Sequence, residues 1–419
     1  MPETPQSPAI RSLPSVEKVH LGLAGLLLTV GFVSIAVSQI TLGITLALLL
    51  FRRLVLKHPL PRTGLETSAA LIALWALITL PFSTDMGTSV LFYRRFYIFA
   101  ALWVLAMVAT TERRRMFLLA CALAGAVAIS LFGEIKLVTQ TGTLFGARFS
   151  AMSNPMTSGS LLMMMVLLGA GFLLTGGHTR RVRLMVGAAL VPILLAVILT
   201  MTRSALLGLL GGLGLMLMLS HRRWFLAFAV AAVVGLTVLL TLGHTFLPAA
   251  YQRRLSLDYQ LSGGNTNVRL EMWRGGWEMV KARPLTGWGD RSLDTLGPDY
   301  YGDEETVYHG HLHNNFVQMA VIWGVPGLVL GLFFLVTPLV LLLRRWRSLR
   351  ACATAPPVLS GWVLGGCGMW LGFFLAGFTE WYFGDAESML IYLAILGTAL
   401  GKDASPSLND PIESNAEVS

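Results

Sequence analysis

The sequence predicts an all-α polytopic membrane protein, and three observations carry that expectation. Hydrophobic residues make up 55% of the 419 and charged residues only 13%, against roughly 45–50% and about 25% in soluble chains. The mean hydropathy is +0.68. The apolar residues come in runs close to the about 20 residues a helix needs to cross the hydrocarbon core. Together these exclude a soluble enzyme and a disordered chain. They also exclude a nucleic-acid partner, although the formal net charge is +9, because the basic residues are scattered in short clusters between apolar runs.

Taken in order, the runs place spans at 19–35, 36–53, 63–83, 90–109, 116–135, 156–175, 184–200, 203–220, 224–243, 322–343, 358–378 and 386–401, about twelve in all. The first two are nearly continuous, and Ser38-Gln39 reads as their hairpin. Residues 1–18 form a polar cytoplasmic tail without a signal-peptide pattern. Residues 19–243 then hold nine spans, 244–321 one large loop, 322–401 three spans, and 402–419 a polar tail that reads as disordered. Cys121, Cys352 and Cys367 offer neither a disulfide framework nor metal-ligand spacing.

Charge sets the sidedness. With a cytoplasmic N-terminus, most of the 31 basic residues fall in one set of loops, including Arg52, Arg62, Arg113-Arg114-Arg115, Arg180-Arg181, Arg222-Arg223 and Arg344-Arg345. The positive-inside rule assigns that set to the cytoplasm. The large loop 244–321 then lies outside and is exempt by its length. Five more cations, Arg94, Arg95, Lys136, Arg148 and Arg203, occupy short outer loops or helix ends where topology alone predicts few.

Those outer residues are the candidates for chemistry. Thr200-Met-Thr-Arg203-Ser is a tight hairpin that sets Arg203 at the outer boundary, and Arg148 stands just before another span. Such arginines can simply snorkel to headgroups. Several on one face also suit an anionic ligand, since guanidinium is a planar fork of donors that stays charged. Within the large loop, Asn267–Arg283 reads as an amphipathic helix with Leu270, Trp273, Trp277 and Val280 on one stripe. The stripe fits packing or interfacial anchoring equally well. Arg274 can pair with Glu278 four residues on, whereas Arg269 has no such partner in sequence and is the better ligand candidate. In His309-Gly-His311-Leu-His313-Asn314, no carboxylate or cysteine stands at metal spacing, so no metal is expected. His313 lies where the chain re-enters the membrane. There it is either a helix-start histidine bonded to backbone or a general base suited to neutral pH.

The chain resembles the O-antigen ligases of the bacterial envelope, within the superfamily that includes O-antigen polymerases. The resemblance rests on Thr-Met-Thr-Arg203-Ser, on Asn267-Val-Arg269-Leu-Glu-Met-Trp273 running to Pro284-Leu-Thr-Gly287-Trp-Gly289, and on His313-Asn314 followed by Gly324-Val-Pro-Gly327. It is strongest from 200 to 330 and agrees with the single large loop before the last three spans. It implies a fold like that of the GT-C glycosyltransferases. It also implies transfer of a glycan from an undecaprenyl-pyrophosphate donor to a sugar hydroxyl of lipid A-core, at the periplasmic face of the inner membrane. The reaction would use no cofactor and invert the anomeric centre. Arg203 and Arg269 match the pyrophosphate-binding arginines, His313 matches the essential histidine, and Arg148 matches more loosely. Asn314 and Arg274 are secondary candidates. An O-antigen polymerase or a protein-glycosylating ligase shares the same donor. A lipid-linked-glycan flippase is disfavoured because ionisable residues are nearly absent from the spans; Glu134 and Glu380 lie near outer ends.

Overall fold

The computed structural model describes residues 14–151, 154–246, 252, 265–290, 293–301 and 310–402, and among them every regular element is helical. In chain order these are α1 (Pro14–Val30), α2 (Ile35–Leu54), α3 (Glu66–Thr79), α4 (Met86–Tyr93), α5 (Ala100–Val108), α6 (Glu112–Thr141), α7 (Pro155–Leu174), α8 (Arg180–Leu199), α9 (Arg203–Ser220) and α10 (Arg222–Phe246). Then follow α11 (Asn265–Ala282), α12 (Leu293–Tyr301), α13 (Asn315–Ala351), α14 (Pro357–Ala376) and α15 (Ala386–Leu400).

Eight helical segments of the described residues are long and apolar enough to cross a membrane: α2, the α4–α5 unit, α6, α7, α8, α9, α13 and α14. The expected twelve exceed this number. Part of the difference is length, since the apolar helices 66–82 and 386–400 are shorter than a full span. The first hairpin is also earlier than Ser38-Gln39. The chain breaks at residues 31–34, and the Ser34 side chain caps α2 by accepting from the Val37 N–H.

The centre of the bundle is α14, with α7 and α9 against it. Most of α7 and α14 is buried. No apolar driving force distinguishes a helix neighbour from lipid, so close approach and backbone contact must hold such helices together. Glycines permit it. A Cβ at Gly171 of α7 would lie 2.5 Å from the Gly361 carbonyl oxygen of α14, and one at Gly208 of α9 would lie 2.6 Å from that of Gly372. At the end of α14 remote from residue 380, the Glu112 carboxylate caps the helix, accepting from the Val358 and Leu359 N–H groups at 2.8 and 3.0 Å. Nearby, the fully buried Arg115 donates to the Gly401 carbonyl at 3.1 Å.

The feature that positions the candidate site is a break in α13. The expected re-entry at 322 falls inside a helix that already starts at Asn315, because the Asn314 side chain caps it by accepting from the Phe316 and Val317 N–H groups. Gly324 then interrupts it with φ 70° and ψ −178°, a conformation essentially confined to glycine. A break leaves carbonyls without helical partners, and these must find donors elsewhere. The segment after α11 supplies them. Trp288 N–H donates to the Val321 carbonyl at 2.8 Å, and Gly289 N–H to that of Ile322 at 3.0 Å. The Trp75 indole donates to the Trp323 carbonyl at 2.8 Å. In return the Val325 N–H donates to the Pro284 carbonyl at 2.7 Å. Pro284-Leu-Thr-Gly-Trp-Gly289 and Gly324-Val-Pro-Gly327 are therefore two halves of one joint.

A Cβ at Gly324 would meet the Leu285 carbonyl oxygen at 2.3 Å. Gly324→Ala is therefore expected to cost about 1–3 kcal/mol from backbone strain and to lower the melting temperature of the purified protein. Gly22→Ala, where a Cβ meets nothing within 4 Å, should leave melting unchanged. Equal melting of both variants would show that the joint carries no strain.

Candidate functional site

The hairpin 200–202 joins α8 to α9 and starts α9 at Arg203. Met201 there has φ 51°, an uncommon conformation for a residue with a side chain. Arg148 holds the turn in place. Its Nε donates to the Thr200 carbonyl at 2.9 Å and a terminal nitrogen to Thr202 Oγ1 at 3.3 Å. Thr202 Oγ1 in turn donates to the Pro155 carbonyl at 3.0 Å, tying the hairpin to the start of α7. Arg148 is thus a brace for the segment that presents Arg203. Arg203 itself is exposed. Its neighbour Ser204 lies 3.2 Å from the Tyr382 hydroxyl, which also donates to the Met156 carbonyl at 3.1 Å. Burial, helped by the nearby Glu380 charge, raises the Tyr382 phenol and keeps it a neutral donor.

Two residues before Tyr382, on the loop from α14 to α15, stands Glu380, buried to 5% exposure. His313, also buried, places Nδ1 2.7 Å from Glu380 Oε1. His311 Nδ1 is 3.7 Å from the same oxygen, and an Arg269 terminal nitrogen is 3.6 Å from Oε2. Burial pushes the Glu380 carboxyl up. The His313 hydrogen bond and the charges of His313, His311 and Arg269 outweigh that and hold it below the usual carboxylate range. His313 has φ 48°. Among the described residues only Lys57, Met201 and His313 combine a side chain with positive φ, and two of the three flank this region. Such strain concentrates where function over-determines the backbone.

The local fold explains this convergence. Asn314 uses both ends of its amide structurally: Oδ1 caps α13, and Nδ2 donates to the Phe378 carbonyl at 2.9 Å. Asn315 N–H donates to the Gly377 carbonyl at 2.7 Å, and its Oδ1 accepts from Phe383 N–H at 3.0 Å. The start of α13 is thus stitched to the loop bearing Glu380. The Trp273 indole of α11 donates to the Leu312 carbonyl at 2.8 Å, and this contact ties the helix that carries Arg269 to the segment before α13.

The expected apolar stripe on α11 needs correction. Leu270 and Trp277 are exposed, while Met272, Met279 and Val280 are buried against Leu293, Leu312 and Val321. The buried face is rotated from the one read in sequence because Gly276 lets the helix approach Leu312, with a Cβ position 2.7 Å from its Cδ1. Arg269 lies half-buried at the edge of this face, and Arg274 is exposed. Glu278, the expected partner of Arg274, pairs instead with Lys281 at 2.7 Å. Arg95 of the outer cations is accounted for by Asp290 at 3.3 Å.

Sequence reasoning passed over Glu380 as a partner. It stands 67 residues from His313, so no spacing motif links them. The available signal was an acid between aromatic residues at the outer end of an apolar helix, a costly place for a charge. No carboxylate stands at metal spacing in the sequence, yet the fold brings Glu380 to the histidines. His311, His313 and Glu380 offer ligand atoms within 4.8 Å of one another, two histidines and a carboxylate of the kind that can hold zinc. His309 lies outside the described residues. The His313–Glu380 separation, however, is that of a direct hydrogen bond. Two ligands of one tetrahedral zinc at 2.0–2.1 Å would stand roughly 3.3 Å apart.

No curated protein matches the chain. Residues 188–332 match the family model described as O-antigen ligase, Wzy_C. The match begins in α8 and ends in α13, so it takes in the Arg203 hairpin, α11 with Arg269, the segment after it, His313 and the Gly324 break. This segment is similar to the O-antigen ligase family, and the apolar helices around it make the chain a multi-pass membrane protein.

Proposed function

We propose that this protein is an O-antigen ligase. It transfers a glycan from undecaprenyl pyrophosphate to a sugar hydroxyl of lipid A-core at the periplasmic face of the inner membrane, without metal and with inversion. The observation that carries the reading is the buried His313–Glu380 pair at 2.7 Å. If Nδ1 carries the proton shared with Glu380, Nε2 keeps a lone pair. That is the arrangement by which a carboxylate fixes a histidine's tautomer and stabilises the imidazolium formed when it acts as base.

The steps follow. The acceptor hydroxyl gives its proton to His313 Nε2 as its oxygen attacks the anomeric carbon. The bond from that carbon to the pyrophosphate oxygen breaks, and the electron pair leaves with the diphosphate. Direct attack from the opposite face inverts the centre. Arg203 and Arg269 neutralise the charge developing on the leaving group. Arg269 lies close to Glu380, yet a fifth of its side chain is exposed. Guanidinium has five donors, so some remain for a phosphate oxygen. Arg148 acts by holding the hairpin, and Asn314 by holding His313.

In a reconstituted assay with donor lipid and lipid A-core, His313→Ala should lower transfer by about 10²–10⁴-fold, the range for a lost general base. Glu380→Gln should fall in the same range. Arg203→Ala should cost about 2.7–4 kcal/mol of barrier. All three should insert and purify normally. Full transfer by His313→Ala would refute the base role. Product formed from donor lipid alone would indicate polymerisation instead.

The histidine–carboxylate set gives the metal-dependent reading a specific footing. Transfer in excess chelator is therefore expected to match the untreated rate. A loss that added divalent metal restores would assign His311, His313 and Glu380 to metal binding.

A further inference from the structure

At the end of the bundle remote from His313, two adjacent cavities gather basic side chains. α13 starts beside His313 and carries Arg344 and Arg345 29–30 residues further on, about 45 Å along a helix. That is about the thickness of a bilayer with its headgroup regions. The first cavity, about 460 Å³, is lined by Arg62, Arg344, Arg345 and Lys402 over a floor that includes Leu341 and Leu400. No carboxylate is among its described lining residues. The Glu66 carboxylate close by is engaged by the turn that precedes α3, accepting from the Thr63 and Gly64 N–H groups at 2.6 and 2.8 Å. The second cavity, about 610 Å³, shares Arg62 and Lys402 and adds Arg52, His58 and Arg114. There Glu17 offsets part of the charge, lying 2.7 Å from Arg114 and 3.5 Å from Arg52.

Topology alone accounts for basic loops on this side. It does not account for four cations around one hollow that has an apolar floor and no acid among its lining residues. Basic pockets between helices at the cytoplasmic side bind acidic lipid headgroups. We infer that these paired cavities are a binding site for an anionic phospholipid carrying two phosphates, such as two phosphatidyl groups on one glycerol. One phosphate would occupy each cavity, and Arg62 and Lys402 would lie between them. A two-phosphate lipid is favoured over a one-phosphate lipid because the two hollows share these cations and each adds its own.

The test is native mass spectrometry of the full-length protein released from detergent. It would be titrated separately with the two-phosphate lipid, with phosphatidylglycerol, with phosphatidylethanolamine and with inorganic pyrophosphate. The expected order of affinity is two-phosphate lipid, then phosphatidylglycerol, with the zwitterionic lipid weakest. The double variant Arg62→Glu with Arg344→Glu should weaken binding by about 25-fold, at roughly fivefold for each ~1 kcal/mol basic contact removed. Arg62→Gln with Arg344→Gln serves if the reversal impairs folding, and should also weaken binding. Arg180→Glu with Arg181→Glu, exposed cations at the start of α8, should bind as the parent does. Unchanged binding by the Arg62 and Arg344 variants would overturn the site. So would equal retention of the zwitterionic lipid. Pyrophosphate binding as tightly as the lipid would assign the cavities to a soluble anion instead.

Discussion

A carboxylate buried in the loop between α14 and α15 is the constraint from which the site follows. Taking an ion out of water costs several kcal/mol, and removing one partner of a buried pair costs about 3–5 kcal/mol. Glu380 must therefore have cationic or hydrogen-bonding partners. The chain supplies them from two other places: His311 and His313 just before α13, and Arg269 on α11. The two places lie on different elements. The need to neutralise one acid therefore holds α11, the start of α13 and the loop before α15 in one arrangement, and it fixes the orientation of the His313 ring.

The broken helix makes that arrangement rigid. An unbroken α13 would keep its backbone groups to itself. The break at Gly324 hands three carbonyls to partners outside the helix, two to the segment after α11 and one to Trp75. The outer helices are thereby locked to the bundle by backbone hydrogen bonds, which are insensitive to side-chain identity. A site built on such a joint holds its groups more closely than one carried by free loops. The same economy appears in the hairpin, where Arg148 spends donors on the turn and leaves the exposed position to Arg203.

What was legible in the sequence follows the range of the signal. Apolar runs and basic loops are local and periodic, so the all-α membrane fold was readable residue by residue, and Arg203, Arg269 and His313 stood out only as members of short motifs. Of the α11 stripe, Trp273 and Val280 pack inward and Leu270 and Trp277 face outward, because Gly276 and the methionines make the close contact. The start of α13 was placed seven residues late because Asn315 and Gln318 interrupt the apolar pattern. Both are buried and bonded, Asn315 to Gly377 and Phe383, Gln318 to the Leu312 N–H. Glu380 was invisible as a partner because its relation to His313 exists only across the fold.

The two ends of the bundle use cations differently. At the Glu380 end, Arg269 faces a carboxylate, and Arg148 faces a carbonyl and a hydroxyl, so positive charge is held in place by protein acceptors. Fixed charge of that kind stabilises a transition state without reorganising. At the other end, Arg62, Arg344 and Lys402 are exposed around a hollow without a lining acid. Charge arranged that way favours a permanently anionic partner that remains throughout turnover. On the proposed function and the inferred lipid site, one protein would bind phosphates at both ends of the bundle, releasing one and retaining the other. The difference lies in the acid: Glu380 stands against Arg269 at the one end, and no carboxylate is among the described residues that line the Arg62–Arg344 hollow at the other.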